Sequence, residues 1–68
     1  MALEIGERVD DTAERVRYRA TDSATGGTVA VTISHEVFKD KGEGICLDKA
    51  QQKYKSPAVS VDVTTGDF

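Results

Sequence analysis

The sequence predicts a small α+β domain in which one or two helices cover one face of a three- to four-stranded, mainly antiparallel sheet. Three stretches alternate apolar and polar residues as half-buried strands do, and a stretch with helical spacing separates the second from the third. The predicted order is therefore β-β-α-α-β. Such a two-layer fold is the smallest that buries one apolar sheet face, and 68 residues are enough for a single domain, residues 1–68.

An extended arm is predicted at the start of the chain. Leu3 and Ile5 alternate with polar neighbours, which indicates a short strand or a strand-like arm. Residues 6–12 are polar and contain the pair Asp10–Asp11, which is typical of a turn. We therefore expect the arm to end before residue 6.

A hairpin follows the arm. Residues 15–20 place Val16, Tyr18 and Ala20 on one side of a strand, and residues 28–33 repeat the alternation with Val29, Val31 and Ile33. The loop between the two strands contains two adjacent glycines, which can adopt the positive φ that a chain reversal needs. The two strands are therefore expected to pair with each other.

Two helices and a third strand complete the predicted fold. Ser34 is a suitable N-cap for a first short helix, and Gly42 is expected to end that helix. A second helix is predicted over residues 45–55, with Pro57 stopping it. Residues 59–64 then alternate valine with polar side chains and predict the last strand.

Composition excludes most classes of site. The single cysteine cannot form an internal disulfide, and one histidine beside it cannot build a metal site, so we expect no metal and no cofactor. The longest unbroken aliphatic run is three residues, which argues against a membrane span, and the first residues lack the pattern of a signal peptide. The lone thiol favours the reducing cytoplasm. A net charge of −3 weighs against a dedicated nucleic-acid or anionic-membrane binder.

Three features could carry chemistry, and each has a structural explanation beside the functional one. His35 could act as a general base, or be a half-exposed side chain in a first helical turn. Cys46 could be a reactive thiol near a helix start, but its spacing to Ala50 and Tyr54 favours the core. Residues 42–44, Gly-Glu-Gly, could hold a phosphate or form a turn between helices. No catalytic residue is predicted, and we expect no enzyme activity.

Arg15, Arg17 and Arg19 form the most distinctive group. In a strand they project from one face about 7 Å apart, opposite Tyr18. They could bind a protein or, as an alternative, the phosphates of a nucleic acid, although a nucleic-acid platform usually adds aromatic rings on the same face. They could also pair with Asp62, Ser60 and threonines across the sheet. These arginines are the predicted binding residues.

Short motifs spread over most of the chain resemble one small bacterial family. These motifs are Leu3 and Ile5, Asp10–Asp11, Val16-Arg17-Tyr18-Arg19-Ala20, Ile33–Ser34, Gly42, Lys53–Tyr54 and the ending Val61-Asp62-Val63-Thr64-Thr65-Gly66-Asp67-Phe68. Through them the chain is similar to the proteins catalogued as domain-of-unknown-function family 1488, although members carry a longer helix between the second strand and the tyrosine. The resemblance implies a compact α+β fold and a bacterial source, and it implies no activity.

The function class that fits these observations is a non-catalytic interaction module in the cytoplasm. A core of this size is marginally stable alone, and the predicted sheet has open edges, so the partner could be another protein or a second copy in a homodimer. The alternative is a nucleic-acid-binding or regulatory accessory protein that uses the three arginines. We expect no membrane partner.

Overall fold

The computed structural model describes residues 3–54 and 60–68 of the chain. These residues form a small α+β domain in the order β-β-β-α-α-β, with a short 3-10 turn after the last strand. The strands and helices are β1 (Leu3–Asp11), β2 (Arg15–Asp22), β3 (Thr28–Ser34), α1 (His35–Lys41), α2 (Glu43–Lys53) and β4 (Ser60–Val63), and the 3-10 turn is Thr65–Asp67.

The described strands form one mixed sheet in the order β1-β2-β3-β4. β1, β2 and β3 are antiparallel neighbours, as expected of strands joined by short turns. β4 is parallel to β3, because the chain crosses over the sheet through both helices before it returns. The fold class predicted from the sequence is confirmed, with four strands and two helices on one face.

The core lies between one sheet face and the two helices. Alternation along β2, β3 and β4 turns every second residue inward, and α1 and α2 contribute the residues that cover them. Tyr18 and Tyr54 are buried and Phe38 packs against the core, but Phe68 is 43% exposed and lies outside it. The buried apolar residues are Leu3, Val16, Tyr18, Ala20, Val29, Val31, Ile33, Val37, Cys46, Ala50, Tyr54, Val61 and Val63.

The first strand is longer than the sequence indicates. The prediction of a short arm followed by a polar turn is wrong, because β1 continues to Asp11 and pairs with β2 at both of its ends and in its middle. Two irregularities in the register, between Ile5 and Arg8 and between Arg8 and Asp10, are β-bulges or similar breaks. Bulges and exposure on an edge strand remove the strict apolar–polar alternation that identifies a strand in sequence.

The helix boundaries differ slightly from the predicted ones. Ser34 does precede α1, but its side chain makes no capping hydrogen bond. Gly42 separates the helices, as predicted, with a φ of 93°. α2 begins two residues earlier than residues 45–55 predict and ends at Lys53, where Tyr54 is already extended. Pro57 and Val59, expected to end the helix and start β4, lie outside the described residues.

Candidate functional site: the open face of the sheet

The sheet face opposite the helices carries the predicted binding residues. β2 buries Val16, Tyr18 and Ala20 under the helices, which turns Arg15, Arg17 and Arg19 to the other side, as the sequence predicts. No helix or strand among residues 3–54 and 60–68 covers that side. We call it the open face, and we call Arg15, Arg17 and Arg19 together the arginine stripe.

The arginines of the stripe differ in their surroundings. Arg19 is exposed, and one of its terminal nitrogens lies 3.9 Å from the Glu7 carboxylate. Arg15 and Arg17 are half-buried, and their Nε atoms are buried without a hydrogen-bond partner in the part of the chain that the structure describes. A buried donor with no partner costs free energy, so these two side chains retain unused hydrogen-bonding capacity.

Acidic side chains lie beside the stripe on β1. Asp10 is the cross-strand partner of Arg17, and Glu4 is the partner of Thr21, so both carboxylates lie on the open face. Glu7 joins them through its contact with Arg19. We call Glu4, Glu7 and Asp10 the acidic row. A row of negative charge and a row of positive charge thus lie on adjacent strands.

On the other side of the stripe the open face is mostly neutral. Thr32 and Ala30 of β3 are the cross-strand partners of Arg17 and Arg19, and Asp62 of β4 lies beyond Thr32. Among the described residues neither Arg15 nor Arg17 forms an ion pair, so the expected pairing of the stripe with Asp62 is absent there. Asp62 is separated from the stripe by the whole of β3.

A second polar cluster lies on the helix side, at the start of α2. The Tyr18 hydroxyl donates to Glu43 Oε2 at 2.6 Å, and Arg8 donates to the same oxygen at 2.9 Å. The Arg8 guanidinium also lies 5.6 Å from the centre of the Tyr18 ring and 5.1 Å from that of Phe38. Hydrogen bonds from Tyr18 and then Arg8 hold the pKa of Glu43 below its usual range, while burial and Glu43 raise the pKa of Tyr18.

The contacts of Glu43 bear on the two interpretations of the Gly-Glu-Gly segment, residues 42–44, as a phosphate site or as a turn between helices. Gly42 makes the break between helices, and the Glu43 carboxylate lies in the first turn of α2, where a negative charge is favourable. The helix start therefore already has its own anion, held by Arg8 and Tyr18. Arg8 and Glu43 are 35 positions apart in the sequence, so no local sequence pattern predicts their contact.

A buried acidic side chain, that of Asp22, lies at the end of β2. Asp22 is 2% exposed, accepts a hydrogen bond from the Tyr54 hydroxyl and accepts another from the Ala24 backbone at 2.8 Å. The Tyr54 bond, followed by the backbone bond, lowers the pKa of Asp22. The alternation of Ala20 and Asp22 along β2 is the sequence signal that places this carboxylate on the core face.

The two residues considered for catalysis lie on the two helices. Cys46 is fully buried, its thiol donates to the Val37 carbonyl oxygen at 3.6 Å, and burial raises its pKa. Its predicted place in the core is confirmed. His35 is half-buried at the start of α1, and its backbone N–H donates to the Glu14 carbonyl at 3.2 Å. A thiol with a raised pKa is a poor nucleophile at neutral pH.

A shallow groove of about 450 Å³ runs between α1 and the end of the chain. The Phe68 ring forms part of it, and the amines of Lys41 and Lys49 lie 5.5 and 5.4 Å from the centre of that ring. Lys41 Nζ also lies 3.8 Å from the Asp40 carboxylate at the rim of this groove. The groove is lined by Glu36, Val37, Asp40, Lys41, Thr65 and Phe68.

The chain matches no family model, no curated protein and no solved structure. The resemblance to domain-of-unknown-function family 1488 therefore stays a prediction. Neither of the two described helices is long and apolar enough to cross a membrane. Within residues 3–54 and 60–68, no three His, Cys, Asp or Glu side chains come together as metal ligands would.

Proposed function

We propose that this chain is a non-catalytic interaction module of the bacterial cytoplasm that binds another polypeptide through its open face. The observation that carries the proposal is the arginine stripe on a sheet face that no described element covers, with two buried Nε donors left unpartnered. A partner that supplies carboxylates or carbonyl oxygens would satisfy those donors after small rotations of the side chains.

The stripe has no role in forming the core. Both helices pack on the opposite side of the sheet, and the residues between the arginines, Val16 and Tyr18, make the contacts with them. Among the described residues, Arg19 is the one member of the stripe that lies within ion-pair distance of a carboxylate, that of Glu7 at 3.9 Å. This arrangement supports a use in binding, where arginine is favoured for its planar set of donors.

The sheet edges fit a partner strand less well than the open face fits a partner surface. β1 is an edge strand with two irregularities in its register and many charged side chains, and the described part of β4 is four residues long. Bulges, charges and short length are the devices by which edge strands avoid pairing with other chains. We therefore place the interaction on the open face.

A protein partner fits the open face better than a nucleic acid does. The acidic row lies one strand away from the stripe, where it would repel a phosphate backbone. Tyr18 points into the core at 3% exposure, so the stripe gains no stacking ring from its own strand. A nucleic-acid partner is the alternative that the experiment below distinguishes.

The test is a pull-down from bacterial lysate with and without nuclease, using two charge-matched triple variants. The stripe variant changes Arg15, Arg17 and Arg19 to Glu, and the control changes Lys39, Lys41 and Lys49 on the helix side to Glu. We expect a partner protein that survives nuclease, is lost with the stripe variant and is retained by the control. Equal capture by both variants, or capture only without nuclease, contradicts the proposal. Far-UV circular dichroism checks that each variant is folded.

A further inference from the structure

The open face carries charges of opposite sign on neighbouring strands, at a spacing that repeats along both. Asp10 stands beside Arg17, and the Glu7 carboxylate lies 3.9 Å from Arg19. Adjacent strands are about 4.8 Å apart, so the acidic row and the arginine stripe form two parallel lines of charge at that separation. A surface with this pattern is complementary to itself.

We propose that the partner of the open face is a second copy of this chain, bound face to face with each arginine stripe over the other copy's acidic row. This inference rests on the proposed function, because it names the occupant of the same surface. Closed two-fold dimers are the commonest form of self-association, and they require a surface that fits its own rotated copy. The open face meets that requirement through its charges.

The symmetry operation follows from the sheet topology. Consider a two-fold axis that runs parallel to the strands, midway between the two copies and above the gap between β1 and β2. Rotation about this axis brings β1 of each copy over β2 of the other without a shift along the strands, so each acidic row faces the other copy's arginine stripe. Arg17 then faces the partner's Asp10, and Arg19 faces the partner's Glu7. An axis perpendicular to the strands would instead place β2 over β2 and bring like charges together.

This arrangement gives Arg17 and Arg19 an opposite charge both in their own sheet and across the interface. Arg17 has Asp10 beside it in its own sheet and the partner's Asp10 across the interface, and the same holds for Arg19 and Glu7. A peptide carrying only carboxylates would satisfy the stripe but would meet the acidic row one strand away. A partner must therefore present both signs at the spacing of adjacent strands, which this chain itself does.

The dimer is expected to be weak. Four strands at about 4.8 Å and seven residues at about 3.3 Å make a face of a few hundred square ångströms, which is at the small end of specific interfaces. Each copy also carries a net charge of −3, so added salt screens both the local attraction and the overall repulsion. The salt dependence of dimerisation therefore does not identify the interface. Exchanging the charges of the two rows by mutation does.

The experiment is sedimentation equilibrium over a concentration series that extends into the millimolar range. One variant changes Arg17 and Arg19 to Glu, and a second changes Glu7 and Asp10 to Arg. We expect the wild type to dimerise, each variant alone to show a dissociation constant raised by about tenfold or more, and an equimolar mixture to form a heterodimer. A control mixture pairs the second variant with a chain in which Lys39 and Lys41 are changed to Glu. That chain keeps the wild-type open face, so it is expected to dimerise with itself, as the wild type does, and not to gain a heterodimer with the second variant.

The possible failures are distinguishable. A monomeric wild type overturns the inference, and the proposed function still stands if the pull-down captures a stripe-dependent protein partner. A dimer that both variants retain also overturns the inference, because the open face is then not the interface. Should a charge reversal prevent folding, as judged by circular dichroism, replacement of the same residues by Gln removes their charge with less repulsion, and loss of the dimer is still expected.

Discussion

Two tyrosines each hold one carboxylate at the boundary of the core. Tyr18 donates to Glu43 at the start of α2, and Tyr54 donates to Asp22 at the end of β2. In both pairs the ring is buried and the hydroxyl reaches the acid, which combines apolar packing with a satisfied polar group. The pKa of each acid is lowered chiefly by its tyrosine.

Replacing each tyrosine by phenylalanine tests these pairs separately. We expect Tyr54→Phe to raise the pKa of Asp22 toward its ordinary value and Tyr18→Phe to raise the pKa of Glu43, because each change removes the main hydrogen bond to the ionised form. Carboxyl ¹³C chemical shifts measured against pH report both groups. Each variant is the control for the other, and a shift of both acids in one variant would contradict the assignment.

The same acids determine how stability depends on pH. Asp22, Glu43 and Asp67 have pKa values that are lowered in the folded chain, Asp67 mainly by the Thr64 backbone N–H and then by Lys53. Groups of this kind stabilise the fold above their unfolded pKa of about 4 and lose that contribution as the pH falls through the folded value. We therefore expect the urea midpoint to be level near neutral pH and to fall below about pH 4.

Circular dichroism at a series of urea concentrations between pH 2 and pH 8 measures this dependence. A midpoint that rises as the solution is acidified below pH 4 would contradict it. At the alkaline end the sign reverses, since burial raises the pKa of Tyr18 and of Cys46. Their protonated forms stabilise the fold up to their ordinary pKa values of about 10 and 8.5, and this contribution is lost at higher pH.

The sequence predicts residues whose position depends on alternation and misses those whose role depends on distant contacts. Arg15, Arg17 and Arg19 follow from the period of two in β2. The acidic row does not, because its register is set by two irregularities in β1. The link between Arg8 and Glu43 joins a strand to a helix through the fold and leaves no local trace.

Among the elements, the break between the two helices depends most on a single residue. Gly42 has φ 93° and ψ 159°, a region that is essentially restricted to glycine. Space around it is open, since an added Cβ would meet no atom within 4 Å. The need for glycine at this position therefore comes from backbone conformation alone.

Gly42→Ala is expected to lower the free energy of unfolding by about 1–3 kcal/mol, the cost of a backbone conformation that alanine rarely adopts. Gly44→Ala, two residues further on and inside α2, is the matched control. Its Cβ also meets open space, so alanine should stabilise the helix by about 0.5–1 kcal/mol. Urea denaturation measures both, and changes of the same sign would contradict the explanation.

The elements that the sequence predicts best are those with one buried face. β2 and β3 alternate cleanly and lie where their patterns indicate, because each has neighbours on both sides and a covered face. β1 extends beyond its apolar residues Leu3 and Ile5. Its second half is mainly polar and is held in the sheet by backbone pairing with β2 and not by burial of side chains. Gln51 also contributes, because its amide group exchanges two hydrogen bonds with the Leu3 backbone.

At the scale of the whole molecule, the two faces of the sheet have different roles. One face and the helices form the core, and the open face carries opposite charges in adjacent rows. The sequence predicts two layers and helices on one face, because three stretches that alternate apolar and polar residues each need one face covered. It does not predict the parallel pairing of β3 with β4, since local patterns contain no information on strand direction.

The parallel pairing of β3 with β4 has a consequence for the order of assembly. β1, β2 and β3 join neighbours in sequence, so their contacts close short loops, whereas β4 reaches β3 only after the whole helical crossover has been placed. We expect the three-stranded meander to form first and β4 to dock last. The acidic row and the arginine stripe both belong to the meander, so we expect the surface proposed for self-association to form before the domain is complete. A nascent chain could thus meet a second copy while its own core is still open on the β4 side.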